Sequence, residues 1–293
     1  MTEILRVQRS MRPPALLKLA PAPQGAPVTA DWHVVRNSVV DAVSENLFDP
    51  NGPWMVGIVG QSGSGKTTAA AGIVGDKMGQ VLPREGESQA DACERLEQIR
   101  RHFRDGVLWL RVGRGAGSKR NLPPLMLQLA RMVDENVGDV ANCGSGKIPT
   151  NQEGGTATTA YVRNRITSGN NGKGYRCLLV ADDVYEPDVV KQLRDTGMRV
   201  LLTTRIRELV EEAGGGCKSV GVEKLSIPEA EAALRGAAKL RSDDRLPQSA
   251  YFIMKRCNYR AMYVAYVAKW QYLKGRKDEK IWKQALDAID TNR

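Results

Sequence analysis

The sequence predicts an open α/β fold: a three-layer parallel sheet with helices on both faces over about 31–225, followed by a small C-terminal helical bundle over 226–293. Two observations carry that reading. Short apolar runs recur between helical stretches, at MVGIVG (55–60), GVLWLRV (106–112), CLLVADD (177–183), RVLLTT (199–204) and, more weakly, KSVGV (218–222). Runs without polar alternation suit strands whose two faces are both covered by helices. After about residue 225 the pattern changes, and SIPEAEAALRGAAKL, PQSAYFIMKRC, YRAMYVAYVAKWQYL and DEKIWKQALDAID all repeat at a helical period.

Residues 1–30 hold Pro13, Pro14, Pro21, Pro23 and Pro27 among Ala and Gly, which favours extended conformers and reads as a linker or arm. Its start, MTEILRVQRSMRPPALLKLA, is rich in arginine and poor in acids, but it lacks the compact apolar core and small-residue cleavage site of a targeting segment. From Asp31 to Phe48, the apolar residues Val35, Val39, Val43 and Leu47 recur every four and predict an amphipathic helix that ends at the turn NGPW. Ser226 and Glu229 form a capping box, with Pro228 tolerated in the first turn of the following helix. Residues 137–159, rich in Gly, Asn, Thr and Ser, read as a long flexible loop.

Composition narrows the function classes. No apolar run is long enough to cross a bilayer, so no membrane partner is expected. Five cysteines, widely spaced and without a C-x-x-C pair, and only two histidines point to neither a zinc site nor a disulfide framework, and a reducing cytoplasmic location is the default expectation. The net charge of +10 is spread along the chain, which suits a solvated surface and argues against a nucleic-acid partner.

The chemistry centres on GIVGQSGSGKTTAAAGIVG. Gly60 is followed by four residues and then Gly65, Lys66 and Thr67, with a strand before and an alanine-rich helix after. Gly60, Gln61, Ser62, Gly63, Ser64, Gly65, Lys66, Thr67 and Thr68 would wrap a polyphosphate. Glycines allow successive N–H groups to point inward, and the helix adds its positive dipole end. Lys66 would meet the β- and γ-phosphates, and the Thr67 hydroxyl would meet Mg²⁺. This reads as the phosphate loop of a P-loop NTPase. The second GSGK, at 144–147, lacks its features: Ala141 stands where the first glycine belongs, Ile148 replaces the hydroxyl residue and no strand precedes it. Lys147 then reads as a solvated lysine.

The run CLLVADDV ends a strand with two carboxylates. Asp182 is placed to hold Mg²⁺, directly or through a water, and Asp183 to orient or deprotonate a water attacking the γ-phosphate. Thr203, Thr204 and Arg205 close RVLLTTR at the carboxyl end of another strand, the edge where open α/β sheets bind ligands. From there Arg205 can reach a γ-phosphate. Trp109 reads as a packing residue, Glu208, Glu211 and Glu212 as a solvated helix face, and Tyr259, Tyr263, Tyr266 and Trp270 as one helical face turned to the core. The alternative for that stripe is stacking on single-stranded nucleic acid.

The motif order VGIVGQSGSGKTT, FRDGVLWLRVG, RCLLVADDVYEPDVVKQL, RVLLTTR, VEKLSIPEAEAAL resembles the NB-ARC nucleotide-switch ATPases of plant disease-resistance proteins and apoptosome scaffolds, over about 31–293. The resemblance implies ATP or ADP and Mg²⁺ as ligands and a signalling role in defence. It implies phosphate and magnesium contacts at Lys66 and Thr67, magnesium binding by Asp182, assistance to hydrolysis by Asp183, and Arg205 as the sensor arginine. It also implies a helical subdomain from Ser226 that closes over the nucleotide, and a protein partner or self-association. Two departures stand out. The family's G-L-P-L motif, whose proline contacts ADP, reads CNYRAMYV here with Ala261 in the proline's place, and the sequence given ends before the winged-helix domain and its M-H-D motif, so it reads as a switch core without its latch. Three functions fit: a slow ATPase switch, a nucleotide-binding scaffold without turnover, and a phosphotransferase or nucleic-acid-stimulated ATPase.

Overall fold

The computed structural model of the protein describes residues 22–23, 25–30, 33–76, 78–84, 86–137, 148–149, 155–169, 172–241, 244–274 and 279–291. Its centre is a five-stranded, fully parallel sheet in the order β2-β3-β4-β1-β5, built from β1 (Met55–Val59), β2 (Gly106–Arg111), β3 (Cys177–Val184), β4 (Arg199–Thr204) and β5 (Cys217–Gly221). Helices of the sheet region are α1 (Asn37–Phe48), α2 (Lys66–Val74), α3 (Gln89–His102), α4 (Leu122–Val137), α5 (Thr156–Ser168), α6 (Pro187–Asp195) and the single turn α7 (Glu208–Glu211).

The strands β1 to β4 are largely apolar because each side of the pleat meets its own helical layer, whereas the edge strand β5 exposes Lys218 and Gly221. Met55, Leu108, Leu110, Leu179, Ala181, Val200 and Leu202 face α4, α5, α6 and α7, whereas Val56, Ile58, Val107, Trp109, Leu178, Val180 and Leu201 face α1, α2 and α3. Residues i and i+2 share a face, so two interleaved apolar sets fill two cores. Trp109 is among the largest fully buried side chains. Full burial of one such side chain contributes about 1.5–3 kcal/mol.

Two expected boundaries move. The first helix starts at Asn37, not Asp31: Arg36 keeps an extended backbone and donates its guanidinium to the Glu223 carbonyl, and Val35 packs from outside the helix. The loop expected over 137–159 is shorter at its C-terminal end, because Gly155 (φ 76°) opens α5, and the Thr159 hydroxyl donates back to the Gly155 carbonyl. The second GSGK, with Lys147 and Ala141, lies outside the described residues. In the segment read as an arm, Ala26 is buried against the layer of α1 and α2.

After β5 come α8 (Ile227–Ala237), α9 (Gln248–Arg256), α10 (Ala261–Lys274) and α11 (Glu279–Thr291). They enclose a third core of Leu225, Ala230, Ala233, Leu234, Ile253, Met254, Val264, Ala268 and Trp282. Ser226 caps α8 with the reciprocal bonds to Glu229 that the sequence indicates. The aromatic stripe is the main correction. Tyr263, Tyr266 and Trp270 are exposed, and Tyr259 lies before the helix begins. The inward face of α10 is Val264, Ala265, Ala268 and Gln271, small enough for close approach to the alanines of α8. Large rings do not fit between helices packed on alanine.

Candidate functional site

The site forms at the carboxyl edge of the sheet, where β1 turns into α2. Gly63 (φ 72°) and Gly65 (φ 96°) adopt the left-handed conformation that only glycine takes without strain, and Gly65 stands at the N-cap of α2. The Gly60 N–H donates to the Thr204 carbonyl at 3.2 Å and ties the loop to β4. Lys66 is buried, and its Nζ donates to the Gln61 carbonyl across the loop at 2.9 Å. Burial, and then the repulsion of Arg205, lower its pKa, while Asp183 and Asp182 oppose the fall.

Asp182, buried near the end of β3, gathers two hydroxyls. Its Oδ1 accepts from Thr67 Oγ1 at 2.8 Å and from Thr203 Oγ1 at 2.7 Å. The Thr203 hydroxyl in turn accepts from the Asp183 N–H at 2.8 Å. Here the pairing of β3 with β4 is interrupted between Ala181 and Val184, and Asp183 carries φ 62°. A non-glycine residue held in this region costs on the order of 1–3 kcal/mol and marks a position fixed by its surroundings. Tyr185 fixes it, donating its hydroxyl to Asp183 Oδ1 at 2.9 Å. The Tyr185 ring lies under two guanidiniums, Arg114 at 4.9 Å and Arg205 at 5.6 Å.

A cavity of about 570 Å³ joins these groups. Ser62, Gly63, Gly65, Lys66, Thr67, Thr68, Asp182, Asp183 and Arg205 line it from the sheet side, His33 from the segment ahead of α1, and Ala261 and Met262 from α10. Gly60, Gln61 and Ser64 instead line a second space of about 290 Å³ behind the loop, with Arg207 and Arg260. His33 is half-buried, and its pKa is lowered to about 4 by burial and by Arg36.

The C-terminal helices touch the loop itself. The Met262 N–H donates to the Gly63 carbonyl at 3.1 Å, and Arg260 Nη2 donates to Gln61 Oε1 at 2.8 Å. A side chain on Gly63 would begin 3.1 Å from Met262 Cβ, so the close approach depends on glycine. Asn258 (φ 48°) and Tyr259 (φ 53°) make the strained turn that delivers α10 to this position, and the Tyr259 carbonyl accepts the Leu225 N–H at 2.9 Å. Residues that sequence reasoning missed are thus Tyr185, Arg114, Thr203 as a bridge, Arg260 and Met262. Tyr185 had a signal, its place two residues past the paired acids. The other contacts depend on how distant segments meet.

A parallel sheet with a glycine loop running into a helix, a lysine within that loop and a carboxylate facing a loop hydroxyl define a P-loop nucleotide-binding domain. The NB-ARC domain model matches residues 89–238, from α3 to the end of α8, and the chain belongs to that family. Among solved structures the chain is similar to a Walker-type ATPase of Pyrococcus abyssi, with 9% identity and a TM-score of 0.46 over 91% of this chain and 74% of that one. No curated protein matches the chain. No helix among the described residues is long and apolar enough to cross a membrane.

Proposed function

We propose that the chain is a signalling switch that binds ATP or ADP and hydrolyses ATP slowly with Mg²⁺. The observation that carries this reading is the direct seating of the helical region on the phosphate loop, through Met262 to Gly63 and Arg260 to Gln61. A nucleotide in the cavity of about 570 Å³ would touch both regions, since Lys66 and Thr67 line one wall and Ala261 and Met262 the other. Its occupancy would bias how they meet. The segment 31–225 then serves as the nucleotide-binding domain and 226–293 as the closing subdomain.

The residues present suit the ligands. The loop amides from Gly60 to Thr68 would take phosphate oxygens, and Lys66 would exchange the Gln61 carbonyl for phosphate, a step helped by the weak hold of one neutral acceptor. Thr67 Oγ1 and Asp182 Oδ1, one hydroxyl and one carboxylate 2.8 Å apart, are hard oxygen donors of the kind Mg²⁺ takes when phosphates complete its shell. Among the described residues there is no group of three or more His, Cys, Asp or Glu that could hold a metal without such help. Mg²⁺, when bound, would neutralise charge on the phosphates. Asp183 would orient or deprotonate water, yet it already accepts from Tyr185, which holds it for orientation more than for proton uptake. That restraint fits slow turnover. Arg205, exposed and stacked on Tyr185, would sense the γ-phosphate. Ala261, which lines the cavity, would take the place of the family's proline.

Single-turnover hydrolysis of ATP separates the readings. The switch requires slow phosphate release with ADP retained, and Asp183→Ala should stop release while ATP still binds. Rapid phosphoryl transfer to a small acceptor contradicts it, and absence of release from the parent chain assigns the scaffold role instead.

A further inference from the structure

We propose that the outer face of α10 is a docking surface for an acidic amphipathic helix of a protein partner. The inference goes beyond nucleotide binding and would survive its failure. Met262, Tyr263, Tyr266, Trp270 and Leu273 are all exposed, with Tyr266 at 75% and Leu273 at 71% of full accessibility. Tyr266, Trp270 and Leu273 follow one another at intervals of four and three residues, which keeps them on one side of the helix, while Met262 ahead of them packs on Gly63. The stripe runs roughly 10 Å at 1.5 Å per residue, about two turns. Contiguous apolar surface of this kind marks an interaction site, and Tyr, Trp and Met are the residues enriched in such sites.

Two features choose the occupant. The stripe ends on Leu273, which offers no ring for a base to stack upon; a helix laid along it would bury that end and the rings before it. The helices that carry the stripe are rich in cations, since residues 245–277 contain eight Lys and Arg and no Asp or Glu, with Arg256 paired to Asp290 of α11. Lys269 lies on the exposed face itself, and Arg260 stacks over the Tyr263 ring at 5.8 Å. A surface rich in one charge favours a partner of the opposite sign and repels a second copy of itself. The partner helix is therefore apolar along one stripe and acidic on its flanks.

The test titrates the full chain against three fluorescent probes by anisotropy: a designed amphipathic helix of Leu and Glu, a helix of Leu and Lys with the same apolar pattern, and a twenty-nucleotide oligothymidine. The acidic helix should bind at least about tenfold more tightly than the basic one, and Tyr266→Ser or Leu273→Ser should each weaken it by about tenfold. Both side chains are exposed, so thermal melts of the variants should match the parent. Equal affinity for the two helices, no binding of the acidic helix, or indifference to both substitutions would overturn the proposal. So would oligothymidine binding that Tyr266→Ser abolishes and the acidic helix fails to compete for, which would assign the face to single-stranded nucleic acid.

Discussion

In the sheet, apolar sequence and burial coincide; on α10 they part. Every strand residue of β1 is buried, and Trp109 in β2 lies in the core shared with α1, α2 and α3. On α10 the rings of Tyr263, Tyr266 and Trp270 stand outside, while Val264, Ala265 and Ala268 hold the core. The difference is geometric. A strand in a parallel sheet has two sides and both are covered, so apolar composition alone settles burial. A helix has a continuous circumference, and several arcs of α10 are apolar enough to face inward. Which arc wins depends on the neighbour, here the alanine-rich α8, whose short side chains let small residues approach.

The sharpest way to break that contrast is a pair of substitutions. Trp109→Ala should cost about 3–5 kcal/mol in urea unfolding, whereas Tyr266→Ala should stay within about 0.5 kcal/mol. Comparable losses would return the α10 rings to the core. A polar contrast comes next. Thr203→Val removes the hydroxyl shared by Asp182 and the Asp183 N–H and should destabilise by about 1–3 kcal/mol, because both partners are left short of a bond beneath the surface. A change below about 0.5 kcal/mol would mean that water replaces the hydroxyl and the bridge does not fix the acids.

A pH dependence is expected as well. The pKa of His33 in the fold is about 4, below its ordinary value of 6.5, so the unfolded chain binds the extra proton first. Its stabilising contribution is complete above pH 6.5 and is lost as the pH falls toward 4. Unfolding free energies of the parent and His33→Gln should diverge across that window, and parallel curves would show that His33 is not buried as described. Least of all, Asn258→Gly should stabilise by about 0.5–1 kcal/mol, since glycine accepts φ 48° freely. A loss of stability would mean that the Asn258 side chain does more than occupy the turn.

The sequence makes the sheet legible because the apolar runs of β1 to β4 need no partner to be recognised, while KSVGV marks β5 only weakly. The loop from Gly60 to Thr68 and the acids Asp182 and Asp183 are legible for a related reason: each lies within a few residues of a strand end. What stays hidden depends on long-range meetings. Arg260 reaches Gln61 across 199 residues of chain, and Thr203 reaches Asp182 from the neighbouring strand. No local period reports such contacts. The α10 stripe misleads for the opposite reason, since a clean helical period says that residues share a face and leaves open which way it points.

The central claim is that Lys66 and the loop around it hold the polyphosphate of a nucleotide. Isothermal calorimetry of ADP and ATP with the parent chain and with Lys66→Ala tests it directly. Binding by the parent that falls at least about a hundredfold in the variant, the loss of a charge-assisted contact in a buried site, is the predicted result. Undiminished affinity in Lys66→Ala would contradict it.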